Sequence, residues 1–138
     1  MHVFVQACLV AFGGALGSLV RWGVAIAFSR WFGTAFPWGT FFINLSGSFF
    51  LGWFTTVLAE LFLVNGDGWI RADDLRLMVA VGFTGAYTTF STFEYESNQL
   101  VQDGDGLKGL TYIFASLFLG LVAVRLGIML ARSGGVSS

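Results

Sequence analysis

Residues 77–93 carry no charge and are long enough to enter a bilayer as a helix. Their second half reads Gly82-Phe83-Thr84-Gly85-Ala86-Tyr87-Thr88-Thr89-Phe90-Ser91-Thr92-Phe93, with Gly, Thr and Ser where a lipid-facing helix would use Leu or Val. Backbone that leaves the helix inside hydrocarbon must satisfy its N–H and C=O groups with protein, water or an ion, so the stretch is a site candidate. It holds no proline, so Gly82, Gly85 and the β-branched threonines would have to cause any break. The competing reading is a continuous helix whose threonine hydroxyls bond back to the preceding turn.

The rest of the chain places this stretch in a membrane. Of 138 residues, 56% are hydrophobic and 11% charged, with a mean hydropathy of +0.77, far from the balance of a soluble domain. At about 20 apolar residues per spanning helix, four spans and short connections consume the chain. Residues 1–131 are expected to form one all-α bundle, and residues 132–138 a disordered tail. A net charge of −1 offers nucleic acid no basic face, and a single Cys8 excludes an internal disulfide framework. The N-terminus lacks the Lys/Arg region of a signal peptide, so the first apolar segment is expected to stay as a helix. His2 has no His, Cys or carboxylate at ligand spacing and reads as an interfacial terminus.

In order, the first span covers about residues 3–28, with two small-xxx-small pairs, Gly13/Gly17 and Gly14/Ser18, that permit close helix contact. Arg21 either snorkels to the interface or faces an anionic vestibule. Residues 29–37 form a short loop, with Trp31 and Trp38 as interfacial anchors. In the second span, residues 38–64, Thr40, Asn44, Ser48 and Gly52 recur every fourth position and stack on one side. Asn44 alone would suit simple interhelical bonding. Residues 65–74 are a polar, turn-rich loop. The third span, residues 75–101, puts Phe90, Phe93 and Glu96 on one face, with Thr89 and Thr92 beside the rings. After a loop at residues 102–108, the fourth span, residues 109–131, repeats the stripe as Tyr112, Ser116 and Gly120, with Arg125 near its end.

With four spans both termini share a side with the 65–74 loop, where Arg71, Arg76 and Arg132 lie; Arg30 and Lys108 lie opposite. Three against two hardly biases orientation, so insertion both ways is expected. Four such helices enclose a pore poorly by themselves, which points to an oligomer and allows antiparallel pairing.

Taken together, Gly13-Gly14-Ala15-Leu16-Gly17 with Arg21, Gly39-Thr40 with Asn44 and Gly47, and Gly82 through Thr88-Thr89-Phe90-Ser91-Thr92-Phe93 with Glu96 resemble the signatures of the small bacterial fluoride channels, the Fluc or CrcB family. The resemblance runs from Phe12 to Arg125. It implies a multi-pass protein of the bacterial inner membrane, a dual-topology antiparallel homodimer with a broken third helix and two anion pathways. It also implies a central structural sodium ion held by backbone carbonyls, and outward fluoride flow that relieves toxicity. Carried over by residue, Asn44, Phe90, Phe93, Tyr112 and Ser116 would line the pathway, with Thr40 and Thr89 on the same track. Gly85 and Thr88 would supply the sodium carbonyls, Arg21 would lie near the vestibule and Glu96 beyond the phenylalanines. Gly120 and Ala86 depart from the serine and glycine frequent in the family at those positions.

These residue types suit a small, strongly hydrated anion. Asn and hydroxyl groups supply N–H and O–H donors, and a phenyl ring turned edge-on offers its positive rim without gripping. Weak contact at several sites favours conduction. No phosphate-binding Gly-x-x-x-x-Gly-Lys motif is present, which favours passive flow and no enzymatic activity. Two rivals remain at this stage. A dual-topology multidrug exporter would need a mid-membrane carboxylate in its first span, and this one has none. A non-transporting structural subunit would explain the glycine faces but not three converging polar stripes.

Overall fold

The computed structural model describes residues 2–65 and 71–134, and every regular element among them is helical. The order is α1 (His2–Phe32), α2 (Trp38–Asn65), α3 (Ala72–Leu75), a π-helical segment (Arg76–Thr84), α4 (Gly85–Tyr87), α5 (Phe90–Gln102) and α6 (Gly106–Gly134). Three helices are long and apolar enough to cross a membrane by length and composition: Val3–Phe32, Trp38–Phe62 and Gly106–Gly134. The remaining helical stretch is divided. α3, the π segment and α4 run on from one another to Tyr87, and α5 begins three residues later.

Helix ends follow local chemistry and correct several boundaries expected above. α1 continues through Phe32, beyond the expected loop start at Ser29, because Gly33 is the residue that can stop it. Gly33 takes a φ of 73° and its N–H bonds the Ser29 carbonyl at 3.0 Å, a left-handed C-terminal cap open to glycine at no steric cost. Gly104, at φ 85°, turns the chain after α5. α6 then starts at Gly106, and Lys108, expected in the loop, lies in its first turn with an ion pair to Asp105 at 2.7 Å. At the other end α6 runs to Gly134, so residues 132–134 of the expected tail are helical. Ser133 donates to the Leu130 carbonyl there at 2.9 Å. Arg125 is therefore well inside α6 and exposed. Residues 66–70 of the polar loop and 135–138 of the tail lie outside the described residues.

Two seams hold the bundle together, each made by glycines that let backbone meet backbone. Along α1, a Cβ on Gly13 would land on the Met78 carbonyl and one on Gly17 on the Phe83 carbonyl. A Cβ on Gly82, from the opposite side, would come within 2.7 Å of the Val10 carbonyl. Ala86 packs loosely against Gly14, 4.0 Å from the place its Cβ would take. The second seam joins α2 and α6, where Gly52 faces the Val124 backbone and Gly127 faces the Phe49 carbonyl. Gly52 therefore belongs to packing and is no part of the polar stripe, whereas Gly120 faces the Ser48 hydroxyl.

Beside the first seam the chain is π-helical for nine residues. The Thr84 hydroxyl donates to the Val79 carbonyl and the Gly85 N–H to the Ala80 carbonyl, both five residues back. Such wide turns are rare and frequently lie at functional sites.

Candidate functional site

Of the residues expected to cause a break, both glycines lie within helix and two of the threonines end it. Gly82 and Gly85 are helical; Thr88 (φ −76°, ψ 159°) and Thr89 (φ −150°, ψ 119°) are extended. Each side of the break has its own terminator. The Thr88 N–H and hydroxyl both donate to the Thr84 carbonyl, at 3.0 and 2.9 Å, closing the last turn of α4. Thr89 caps α5, its hydroxyl oxygen accepting the Thr92 N–H at 3.3 Å, as an N-terminal threonine does. What remains of Thr89 is satisfied from α2. Its N–H donates to Asn44 Oδ1 at 2.9 Å, and Asn44 Nδ2 donates to its carbonyl at 3.1 Å. Asn44 thus takes over the N–H that leaves the helix at Thr89 and adds a bond to the carbonyl that opens α5, which is the accounting a break among apolar side chains requires.

Around the break lies an open groove of about 310 Å³ lined by residues of α2, the divided stretch and α6. Of the expected site residues, Asn44, Gly85, Thr88, Thr89, Phe90, Phe93 and Ser116 all line it. The two rings, read as sharing one face, sit differently. Phe93 is 8% exposed and packs on Tyr112, ring centroids 5.2 Å apart, whereas Phe90 is 67% exposed at the mouth. Ser116 Oγ is buried without a hydrogen-bond partner among the described residues, so a donor there is left free.

Deeper in, the other expected residues form a hydrogen-bonded triad. Tyr112 is fully buried and its hydroxyl donates to Glu96 Oε2 at 3.0 Å; Thr40 Oγ1 donates to Glu96 Oε1 at 2.9 Å. Thr40 and Glu96 also line a second cavity, of about 510 Å³, formed by the α1–α2 turn, α5 and the α5–α6 turn. Phe93 lines the first cavity, and Tyr112, packed on it, bonds Glu96 in the wall of the second. Arg21 lines neither, and it makes no hydrogen bond or ion pair among the described residues.

Sequence reading passed over two residues here. Ser46 and Tyr87 join α2 to the last residue before the break, their hydroxyl oxygens 2.8 Å apart. A tyrosine inside a Gly/Thr run was the available signal. Ser46, two residues from Asn44 and Ser48, fell outside the fourfold repeat that picked out the stripe.

Helices apolar enough to span a membrane, converging on an interrupted helix with free donors in a groove, define a small multi-pass membrane protein of the channel or transporter class. The family profile described as CrcB-like protein, Camphor Resistance (CrcB), matches residues 8–128, and the chain belongs to that family. It is 42% identical over 123 residues to a protein of Nitrobacter winogradskyi named fluoride-specific ion channel FluC, covering 89% of this chain and 92% of the relative. Proteins of the same name are 40% identical over 129 residues in Rhizobium johnstonii (94% and 98% covered) and 44% identical over 122 residues in Thermus thermophilus (88% and 91% covered).

Proposed function

We propose that this protein is a fluoride-selective channel that passively exports fluoride from the cytoplasm of its host and so reduces fluoride toxicity, with no enzymatic step. The observation that carries this reading is the groove at the break, where an asparagine, a free buried hydroxyl and two phenyl rings from three different helices converge. The names of the relatives supply the ion. Asn44 has two N–H donors, and only one is committed to Thr89; the other, with Ser116 Oγ–H, replaces part of a hydration shell. Phe90 and Phe93 contribute ring edges. Thr40, Glu96 and Tyr112 would form the inner end of the path, Thr89 its outer wall, and Arg21 would act at a distance by its charge.

In this reading the divided stretch is a fourth membrane crossing in the bacterial inner membrane, and two copies insert with opposite topology and pair as a homodimer across the groove side. The open groove and the exposed Phe90, Leu117 and Phe118 support a second copy there. A sodium ion at the dimer centre fits the donor chemistry. The Thr89 N–H that would bond the Gly85 carbonyl in a continuous helix goes to Asn44 instead, and Thr88 is extended. Freed carbonyl oxygens at a half-helix end are ligands for a monovalent cation. Gly85 and Thr88 would hold it by backbone oxygens, so Thr88→Ala would weaken sodium binding only modestly.

Purified protein in liposomes, followed with a fluoride electrode, tests the function: rapid fluoride efflux without chloride efflux is expected, and a proton-coupled cation exporter or a non-transporting subunit would give neither. Single cysteines at positions 71–74 in a Cys8→Ser background should label from both sides of the membrane, and one-sided labelling would refute dual topology.

A further inference from the structure

Asn44 secures only the far side of the break. On the near side the rings of Phe83 and Phe50 meet edge-on, but the sole side-chain hydrogen bond to α2 among the described residues is the pair Tyr87 and Ser46, and we infer that Tyr87 is a positioning residue whose hydroxyl, held by Ser46, sets where the break sits against α2. The inference rests on the channel reading above for its functional arm and on geometry alone for its structural arm.

The direction of the bond follows from counting protons. Ser46 has one hydroxyl proton, and the shortest acceptor for it is the Phe42 carbonyl at 2.7 Å, with the Ile43 carbonyl at 3.2 Å. The bond at 2.8 Å must then run from Tyr87 O–H to Ser46 Oγ. Between Ser46 and the break stands Gly47. A Cβ there would collide with the Thr88 methyl group and come within 3.2 Å of the Tyr87 ring. The chain at the break therefore lies directly on the α2 backbone, docked at three consecutive places: Tyr87 on Ser46, Thr88 on Gly47, Thr89 on Asn44. Tyr87 is 8% exposed and its ring stacks on Phe83 at 6.0 Å with an interplanar angle of 10°. The ring is thus held by packing, and the hydroxyl bond decides how the α4 end is registered on α2. Because Thr88 follows Tyr87 directly, any slippage of that end moves the Thr88 carbonyl and the groove wall that Thr88 and Thr89 form.

Tyr87→Phe is the discriminating change. It keeps the stacked ring and leaves no group unsatisfied, since Ser46 retains its bond to Phe42, so a folded protein is expected. Backbone amide exchange in reconstituted protein should quicken at Thr88 and Thr89 by up to about tenfold, the range for loss of one net hydrogen bond, with α6 unchanged. Fluoride efflux from liposomes should fall by about the same factor. Ser46→Ala should reproduce both effects, and the double variant should go no further than the worse single, because the two hydroxyls act as one unit. Wild-type exchange at Thr88 and Thr89 in Tyr87→Phe, or effects of the two single changes that multiply, would overturn the inference. Should the wild type pass no fluoride, the channel reading falls while the exchange measurement still decides the clamp.

Discussion

The seam between α1 and the π segment and the junction of α2, α5 and α6 solve opposite problems with opposite means. At the first, glycines bring backbone onto backbone, and the atoms nearest a Cβ added at Gly13, Gly17 or Gly82 are all backbone. At the second, polar side chains reach across large sequence separations: Thr40 and Asn44 of α2 to Glu96 and Thr89, and Tyr112 of α6 to Glu96. A dense seam has no room to rearrange, so it fixes where the divided stretch lies. A junction made of directional bonds leaves donors over, and those are what an ion can use.

Variants that separate the two regions should split stability from flux, and the largest effect is expected at the dense seam. Gly17→Val would drive its side chain into the Phe83 carbonyl and cost about 3 kcal/mol or more, enough to lose the folded species on size exclusion. Gly23→Ala on the same helix meets nothing within 4 Å and should leave the melt unchanged or slightly raised. Equal effects of the two would remove the distinction.

At the junction, Asn44→Ala strands the Thr89 N–H, a loss of about 1–3 kcal/mol that should leave measurable folded protein with fluoride efflux near background. Efflux close to wild type would mean that the break holds without its asparagine. The rings sharpen the contrast further. Phe93→Leu removes buried ring volume and should cost about 1 kcal/mol, while Phe90→Leu, exposed at 67%, should barely move the melt. Efflux should nevertheless fall sharply in both, because each swap keeps apolarity and deletes the ring edge. Wild-type rates in both would make these rings packing alone.

The smallest effect on stability is expected at Ser116. Its hydroxyl is buried and unbonded among the described residues, so Ser116→Ala should lie within about 0.5 kcal/mol of wild type or above it, and still slow fluoride efflux severalfold by removing a free donor. A stability loss without a change in flux would assign the hydroxyl to the fold.

Much of this was legible in one dimension because bilayer solvation acts on each segment separately. Apolar length marked α1, α2 and α6, small-residue spacing marked Gly13 and Gly17, and fourfold repeats marked Thr40, Asn44, Ser48, Tyr112 and Ser116. Gly33 and Gly104 were ordinary stop signals that span counting overlooked, which is why the ends of α1 and α6 were drawn short. The position of the break was legible only in part. Local propensity offers Gly82, Gly85 and the threonines alike, yet the chain breaks only at Thr88 and Thr89, since a helix can only be left where a partner elsewhere takes over its bonds. That partner, Asn44, is 45 residues away.

Periodicity and hydropathy are properties of each stretch alone, and they suffice to specify a helical membrane protein with a polar track on three segments. Packing in three dimensions makes Gly82 a packing contact, leaves Phe90 open while Phe93 is buried, lets Glu96 accept from Thr40 and Tyr112, and brings Tyr87 to Ser46. Each of these depends on which backbone atoms approach one another in space, and the glycine seams that set those approaches join segments far apart in the chain.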